Sequence, residues 1–433
     1  MHLSADSWSD PLIPANPANP AMCHRRPCES KAETETKHLK RRYFHSGRSR
    51  LRKRIIYVSG TRADYGLMRS TLRSIRNNGR LDLSLVVTGM HLSREFGSTI
   101  GEIRKDGFPI SAELPSLMRE DTPAGMVRSF AKCTNLLTSV FEELDPDIVL
   151  LLGDRWEMLA AAIAASYMNI VVAHVHGGEV TGSIDESNRH AITRFAHVHL
   201  AATRNNAMNL IRMGEEHDRI HVVGAPGLDD IRDKAYTCPQ IVRERFNLTS
   251  GERHALLVQH AVVTEYNEAP KQIALTLDAL RDVGIKSIGI YPNADAGGRA
   301  MIEIMKRYDS RGNLHLHKNL SRDDYLGLMA SVDVMVGNSS SGIVEAPSFH
   351  LPSVNIGTRQ QGRVRAKSTV DVGNDRDEIA AAIRRALSKP FKRRSVRRSN
   401  PYGDGRTGPR IAKILSETEP TTRLLQKRLS YSL

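Results

Sequence analysis

The chain has 433 residues, 40% of them hydrophobic, and a formal net charge of +14, which suits two or three globular domains better than one. No run approaches the ~20 apolar residues of a membrane span, and the first 30 residues lack the apolar core of a secretory signal, so neither a membrane partner nor export is expected. The excess charge sits at the ends: residues 1–54 carry 12 Lys/Arg against 5 Asp/Glu, residues 384–433 carry 14 against 3, and the body between them is close to −4.

Basic ends on a mildly acidic body are expected to be solvated tails. With no helix-turn-helix, zinc finger or aromatic-flanked basic strand, no specific nucleic-acid partner is expected. The four cysteines are scattered, and Cys23 and Cys28 have no partner pair, so a reducing cytoplasm is the expected home and a structural zinc is not expected.

Residues 1–53 contain the near-repeat Pro-Ala-Asn-Pro-Ala-Asn-Pro and few periodic apolar residues. A segment of this kind buries too little surface to offset its ordering entropy, so a disordered leader is expected. It is also compatible with an extended start to the reading frame. Strand-like runs then alternate with helical patterns. The strands expected are 54–59, 83–88, 148–152, 170–175, 197–202 and 220–223, with helices at 65–77, 124–144 and 155–166 between them. After Gly224-Ala-Pro-Gly227 the pattern restarts, with strands at 254–259, 286–291, 313–317, 332–336 and 352–356 and helices at 269–283, 298–308, 322–330 and 377–388. Alternation of this kind implies parallel sheets covered by helices. The organisation expected is a Rossmann-like domain over 54–225, a second over 226–390 and a basic, partly helical tail over 391–433, with a ligand cleft between the two domains.

Three constellations carry chemistry. After the first strand, Ser59-Gly-Thr-Arg62 permits a tight turn into a helix whose free N–H groups, with Arg62, suit a phosphate. An ordinary turn with a surface arginine accounts for it equally well. The second is carboxylate-rich. Leu151-Leu-Gly-Asp154 runs a buried strand into an acid. The next strand runs into His174-Val-His-Gly-Gly-Glu179, followed by Asp185, Glu186, Arg189 and His190. Open α/β sheets do chemistry at this carboxyl edge, and crowded ionisable groups shift one another's pKa values as acid–base work requires. Asp154 as a plain helix cap is the competing reading. The third is Gly337-Asn-Ser-Ser340-Ser341-Gly-Ile-Val-Glu345, a small hydroxylated loop opening a helix, suited to an anion, with Glu345 placed to accept from a ribose diol. Gly357-Thr-Arg359-Gln-Gln-Gly-Arg363 adds cations that can neutralise a diphosphate without a metal. Together these indicate a nucleotide, and a nucleotide-sugar as the small-molecule partner. The alternating histidine pairs His174/His176 and His197/His199 lack the company a zinc site needs.

These motifs, in order and over about residues 54–390, resemble the hydrolysing UDP-N-acetylglucosamine 2-epimerase family. The resemblance implies a GT-B-like α/β fold of two doubly wound domains, a homo-oligomer, and no cofactor or metal. It does not extend to an appended kinase module, because only about 45 residues follow residue 388. It implies conversion of UDP-N-acetylglucosamine and water to N-acetylmannosamine and UDP, through elimination to 2-acetamidoglucal and rehydration. Matched to the family motifs, Asp154, Glu179 and Asp185 form the acid–base set, with Glu186 the substitute for Asp185. His260 meets the leaving diphosphate, while Arg62, Ser340, Ser341, Glu345 and Arg359 hold UDP. A core histidine is the alternative for His260, and Ala261 stands where related proteins usually have proline. Three other readings stay open: a UDP-2,4-diacetamido-2,4,6-trideoxy-glucose substrate on the route to legionaminic-type acids, a GT-B glycosyltransferase, and a non-catalytic nucleotide-sugar sensor.

Overall fold

The computed structural model describes residues 52–182, 184–312, 314–395 and 400–430. The leader expectation therefore lies outside the described residues, except that Lys53 already belongs to the first strand.

Among the described residues thirteen strands, all parallel, form two sheets. The first has the order β3-β2-β1-β4-β5-β6-β7. Its strands are β1 (Lys53–Ser59), β2 (Leu81–Thr88), β3 (Ile110–Leu114), β4 (Ile148–Leu152), β5 (Val171–Val175), β6 (Val198–Ala201) and β7 (Ile220–Val222). The second has the order β10-β9-β8-β11-β12-β13, built from β8 (His254–Val258), β9 (Lys286–Ile290), β10 (Leu314–His317), β11 (Val334–Gly337), β12 (Ser353–Ile356) and β13 (Thr369–Val372). The central strands β1, β4, β5 and β8 are near-continuous apolar runs because helices cover both faces. On one face of the first sheet Tyr57, Leu85 and Leu150 meet Met68 and Leu72 of the helix Arg62–Arg76. On the other, Val58 and Val149 meet Phe141 and Ala161.

Strand order reverses between β1 and β4 in the first sheet and between β8 and β11 in the second. Crevices at such switch points are where open α/β sheets bind ligands. Gly60-Thr-Arg62 leaves β1, Gly153-Asp154 leaves β4, His260 follows β8 and the serine loop follows β11. The turns are held by backbone few other residues tolerate. Gly153 has φ +81, and Gly337 has φ +126 against the Val258 carbonyl, where a Cβ would collide.

The solvated-tail expectation does not hold for residues 400–430. After the second sheet the chain returns to the first domain, where the helix Thr407–Glu417 packs on Arg62–Arg76 through Ile411, Ala412 and Leu415. That helix has no cap of its own. Buried Asp229, from the helix Gly227–Arg232, accepts the Thr407 and Gly408 N–H groups at 2.9 and 2.7 Å. Lys53 closes the far end on the Ser416 and Thr418 carbonyls, and Lys427 bonds the Thr193 carbonyl and Glu215. Several of the basic residues counted as solvated are therefore structural. Among the described residues no helix is long and apolar enough to cross a membrane.

Candidate active site

The two switch points face a cavity of about 190 Å³. Of the residues expected from sequence, Arg62, Asp154, His260, Ser340, Ser341, Glu345 and Arg359 line it. Glu179, Asp185 and Glu186 are not among the lining residues.

Asp154, at the end of β4, is an ion-pair partner of Arg189, a buried side chain from the helix Ile184–Phe195. Burial raises its pKa, but Arg189, Arg363, Arg359 and Arg155 outweigh burial and hold it below the usual carboxylate range. Asp185 differs. Burial and then the Asp154 charge push it up to about 6, although Arg359 stands 3.5 Å away. One carboxylate is thus ionised and its neighbour protonated in weakly acidic solution, the division of labour that acid–base chemistry uses.

Glu179 lies behind the cavity wall and is fully buried. Its carboxylate meets Arg363 at 3.3 Å, His176 at 3.9 Å, Arg189 at 4.0 Å and the Tyr402 hydroxyl at 2.9 Å. Burial opposes its charge, but Arg363, Arg189, His176 and Tyr402 together lower its pKa. His176 carries a φ of +68, in the left-handed region that residues other than glycine adopt uncommonly. Its N–H bonds the Leu200 carbonyl, and its own carbonyl accepts from Arg189. Strain held in this way is typical of functional loops. Glu186 serves the loop itself, accepting the Thr181 N–H at 2.9 Å and meeting His190 at 3.4 Å.

His260 is fixed from two sides. Its N–H donates to the Asn338 side chain, whose amide returns a bond to the His260 carbonyl, pinning β8 to β11 at the switch point. The Asn293 N–H donates to His260 Nδ1 at 3.1 Å, which leaves Nε2 as the donor of a neutral ring. Burial, then Arg359, Arg155 and Arg62, push its pKa well down. It is a hydrogen-bond donor and not a cation.

The structure narrows two anion-binding expectations. The Gly60 and Thr61 N–H groups are not free for a phosphate. Both donate to Asp64, at 3.0 and 2.7 Å, in a capping box with Thr61. Arg62 remains in the cavity wall, its guanidinium bonding the Leu320 carbonyl and lying 5.9 Å from the Tyr325 ring centre. The serine loop opens only a single helical turn, Ser341–Val344, after which Pro347 turns the chain into a 3-10 turn. Such a turn offers hydroxyls and N–H groups but little macrodipole.

Arg322, missed from sequence because Ser321-Arg-Asp-Asp looks like a capped helix start, also lines the cavity. It pairs with Glu345, lies 3.7 Å from Asp230 and donates to the Gly227 carbonyl at 3.0 Å. Arg155, another omission, joins the domains by pairing with Glu157 at 3.0 Å and Asp295 at 3.4 Å. Among the described residues no group of three or more His, Cys, Asp or Glu side chains is disposed to hold a metal ion.

Known proteins resemble this chain over most of its length. A profile described as UDP-N-acetylglucosamine 2-epimerase matches residues 73–416. The chain is 40% identical over 379 residues to the UDP-N,N'-diacetylbacillosamine 2-epimerase (hydrolyzing) of Legionella pneumophila, covering 88% of this chain and 100% of the relative. It is 33% identical over 377 residues to the UDP-N-acetylglucosamine 2-epimerase of Neisseria meningitidis, covering 87% and 98%. A crystal structure of UDP-GlcNAc 2-epimerase from Neisseria meningitidis bound to UDP-GlcNAc superposes with a TM-score of 0.72 at 20% identity, covering 84% and 100% of the two chains. One from Methanocaldococcus jannaschii, in complex with UDP-GlcNAc and UDP, gives 0.70 at 20% identity, covering 84% and 100%. These structural likenesses give the two-domain, GT-B-like α/β fold. With most of its length matched by profile and relatives, the chain belongs to the UDP-N-acetylglucosamine 2-epimerase family and is a 2-epimerase.

Proposed function

We propose that the protein is a hydrolysing epimerase of a UDP-2-acetamido sugar. The observation that carries this reading is the ionised Asp154, which shares one cavity with His260 and the serine loop, with a protonatable Asp185 that feels its charge from behind the lining. The C2 hydrogen of the sugar is not acidic enough for simple removal and return. Departure of UDP from C1 opens a route: Asp154 takes the C2 proton, the C1–O bond breaks with its electron pair leaving on the diphosphate, and 2-acetamidoglucal forms. Water then adds its hydroxyl to C1 and gives its other proton to solvent, while a proton from Asp185 reaches C2 from the opposite face. Asp154 releases the proton it took to solvent, and Asp185 regains one from it. The products are the 2-epimeric free sugar and UDP.

The leaving diphosphate gathers charge where Arg62, Arg359 and the neutral His260 donor stand ready. Fixed donors aimed at developing charge are worth most in such enclosed sites. Ser340, Ser341 and Glu345 take the nucleoside end. Glu179, held ionised, stabilises the arginines of the sugar end.

Between the two substrates considered, the 40% identity with the Legionella pneumophila relative supports UDP-2,4-diacetamido-2,4,6-trideoxy-glucose, with UDP-N-acetylglucosamine second. The test is to incubate the protein with each sugar in heavy water, follow UDP release and examine the product by NMR. The expected product carries deuterium at C2. A product retaining its original C2 hydrogen refutes the elimination. Equal kcat/KM for the two sugars refutes the substrate preference.

A further inference from the structure

The segment 400–406, which brings the chain back from the second domain, threads beside both halves of the site. Asn400 donates to the Val344 carbonyl at 2.6 Å and to Ser348 at 2.7 Å, which ties the segment to the serine turn. The Ala225 N–H donates to the Tyr402 carbonyl at 2.9 Å where the chain first crosses between domains. Between these anchors Tyr402, fully buried, sends its hydroxyl into the first domain. There it donates to Glu179 Oε1 at 2.9 Å, with the Val364 carbonyl a second acceptor at 3.2 Å. The groups facing Glu179 are Arg363, Arg189 and His176, and all three side chains line the cavity.

A carboxylate in contact with two guanidinium groups and an imidazole can pivot among them. A fourth, directional partner on its other oxygen fixes the pivot. Burial and the Glu179 charge push the Tyr402 pKa far up, so the phenol stays a donor at any working pH. Tyrosine is well suited to this, because its rigid ring delivers one hydrogen bond at long reach from a packed body.

We propose that Tyr402 is a positioning residue, acting through Glu179 to hold Arg363, Arg189 and His176 in register at the sugar end of the cavity. The assignment rests on the reading of the cavity as a hydrolysing UDP-sugar site.

The test is Tyr402→Phe, which keeps the ring and removes only the donor. Turnover of the preferred UDP-sugar is followed by UDP release, and UDP affinity is measured by calorimetry. The expected result is a fall in kcat of about tenfold with UDP affinity within about twofold of wild type, because the groups gripping UDP are untouched. A merely structural role gives a different split. Loosening the segment that Asn400 ties to the serine turn lowers UDP affinity along with turnover, and that result overturns the proposal, as does an unchanged kcat. If Tyr402→Phe fails to fold, Glu179→Gln decides. It leaves the return segment intact and is expected to lose turnover while keeping UDP affinity, and a parallel loss of both overturns the proposal. A wild-type protein that releases no UDP from either sugar refutes the underlying reading, and this assignment falls with it. An active wild type with Tyr402→Phe indistinguishable from it refutes the assignment alone.

Discussion

Replacing Arg322 with methionine should cost more stability than removing the charge of its partner Glu345, and the excess should grow with pH. Arg322 and both its carboxylate neighbours, Glu345 and Asp230, are almost wholly buried. Met keeps much of the side chain's length and apolar body but strands two carboxylates. Asp230 then retains Arg69 at 3.7 Å, and Glu345 keeps only the longer-range attraction of Arg62. Breaking a buried pair by deleting one member costs about 3–5 kcal/mol. Glu345→Gln is milder, because Arg322 keeps Asp230 and the Gly227 carbonyl, and about 1–2 kcal/mol is expected. The pH dependence follows from Asp230. Burial raises its pKa in the folded protein, with Arg322 the foremost group opposing burial. Without Arg322 the folded value rises further above the unfolded one. The added penalty is therefore absent below the unfolded pKa of about 4 and increases as pH climbs through the folded value. Urea unfolding of wild type and both variants at pH 5.5 and pH 8, compared by midpoint at constant slope, measures this. Equal losses for the two variants, or an Arg322→Met deficit no larger at pH 8 than at pH 5.5, would refute the reasoning.

Asp229→Ala removes both carboxylate bonds that cap the helix Thr407–Glu417. A loss of about 2 kcal/mol is expected, read by thermal or urea unfolding, with turnover kept at temperatures where the variant is folded. The pH profile of kcat/KM should fall on its basic side from a pH near 6, reporting Asp185 in the free enzyme. Asp185→Asn should abolish that limb and let 2-acetamidoglucal accumulate.

What sequence could show depended on where the signal was concentrated. The central strands are apolar on both faces, and the chemistry follows each one at its carboxyl end, so the positions of Asp154, His260 and the serine loop are legible in the sequence. The edge strands β3 and β13 were missed because they are short and half exposed, and Ile110–Leu114 and Thr369–Val372 mix polar with apolar residues. The helix Ile184–Phe195 was missed because its site-bearing turn, Asp185 to His190, is almost entirely polar. Counting charge hid the return of the chain. Ile411, Ala412, Ile414 and Leu415 do have helical spacing, but they lie among arginines and lysines that point outward or cap backbone. Tyr402 had a local clue, an aromatic residue between Asn-Pro and Gly-Asp-Gly. Its target lies 223 residues away in sequence, and no local pattern encodes such a contact. The Asp64 capping box shows the opposite failure, where the turn before the helix had already spent the Gly60 and Thr61 N–H groups on the Asp64 side chain.

The cross-domain pair Arg359–Asp185 gives the pH prediction its second half. In the free protein Arg359 lowers Asp185 against burial and Asp154, and the balance comes to rest at about 6. A bound diphosphate carries two negative charges and competes for the same guanidinium. As Arg359 turns to the phosphate its help to the Asp185 carboxylate declines, and the ligand's own charge disfavours ionisation further. Asp185 should therefore be more fully protonated in the complex than in the free enzyme, so that substrate binding loads the acid the second half-reaction needs. The basic limb of kcat, which reports the complex, should then lie at higher pH than that of kcat/KM. Arg359→Gln should bring the two limbs together, because the free-enzyme value rises once its cation is gone. Coincident limbs in the wild type, or a gap unchanged by Arg359→Gln, would show that Arg359 does not couple the nucleotide to the acid.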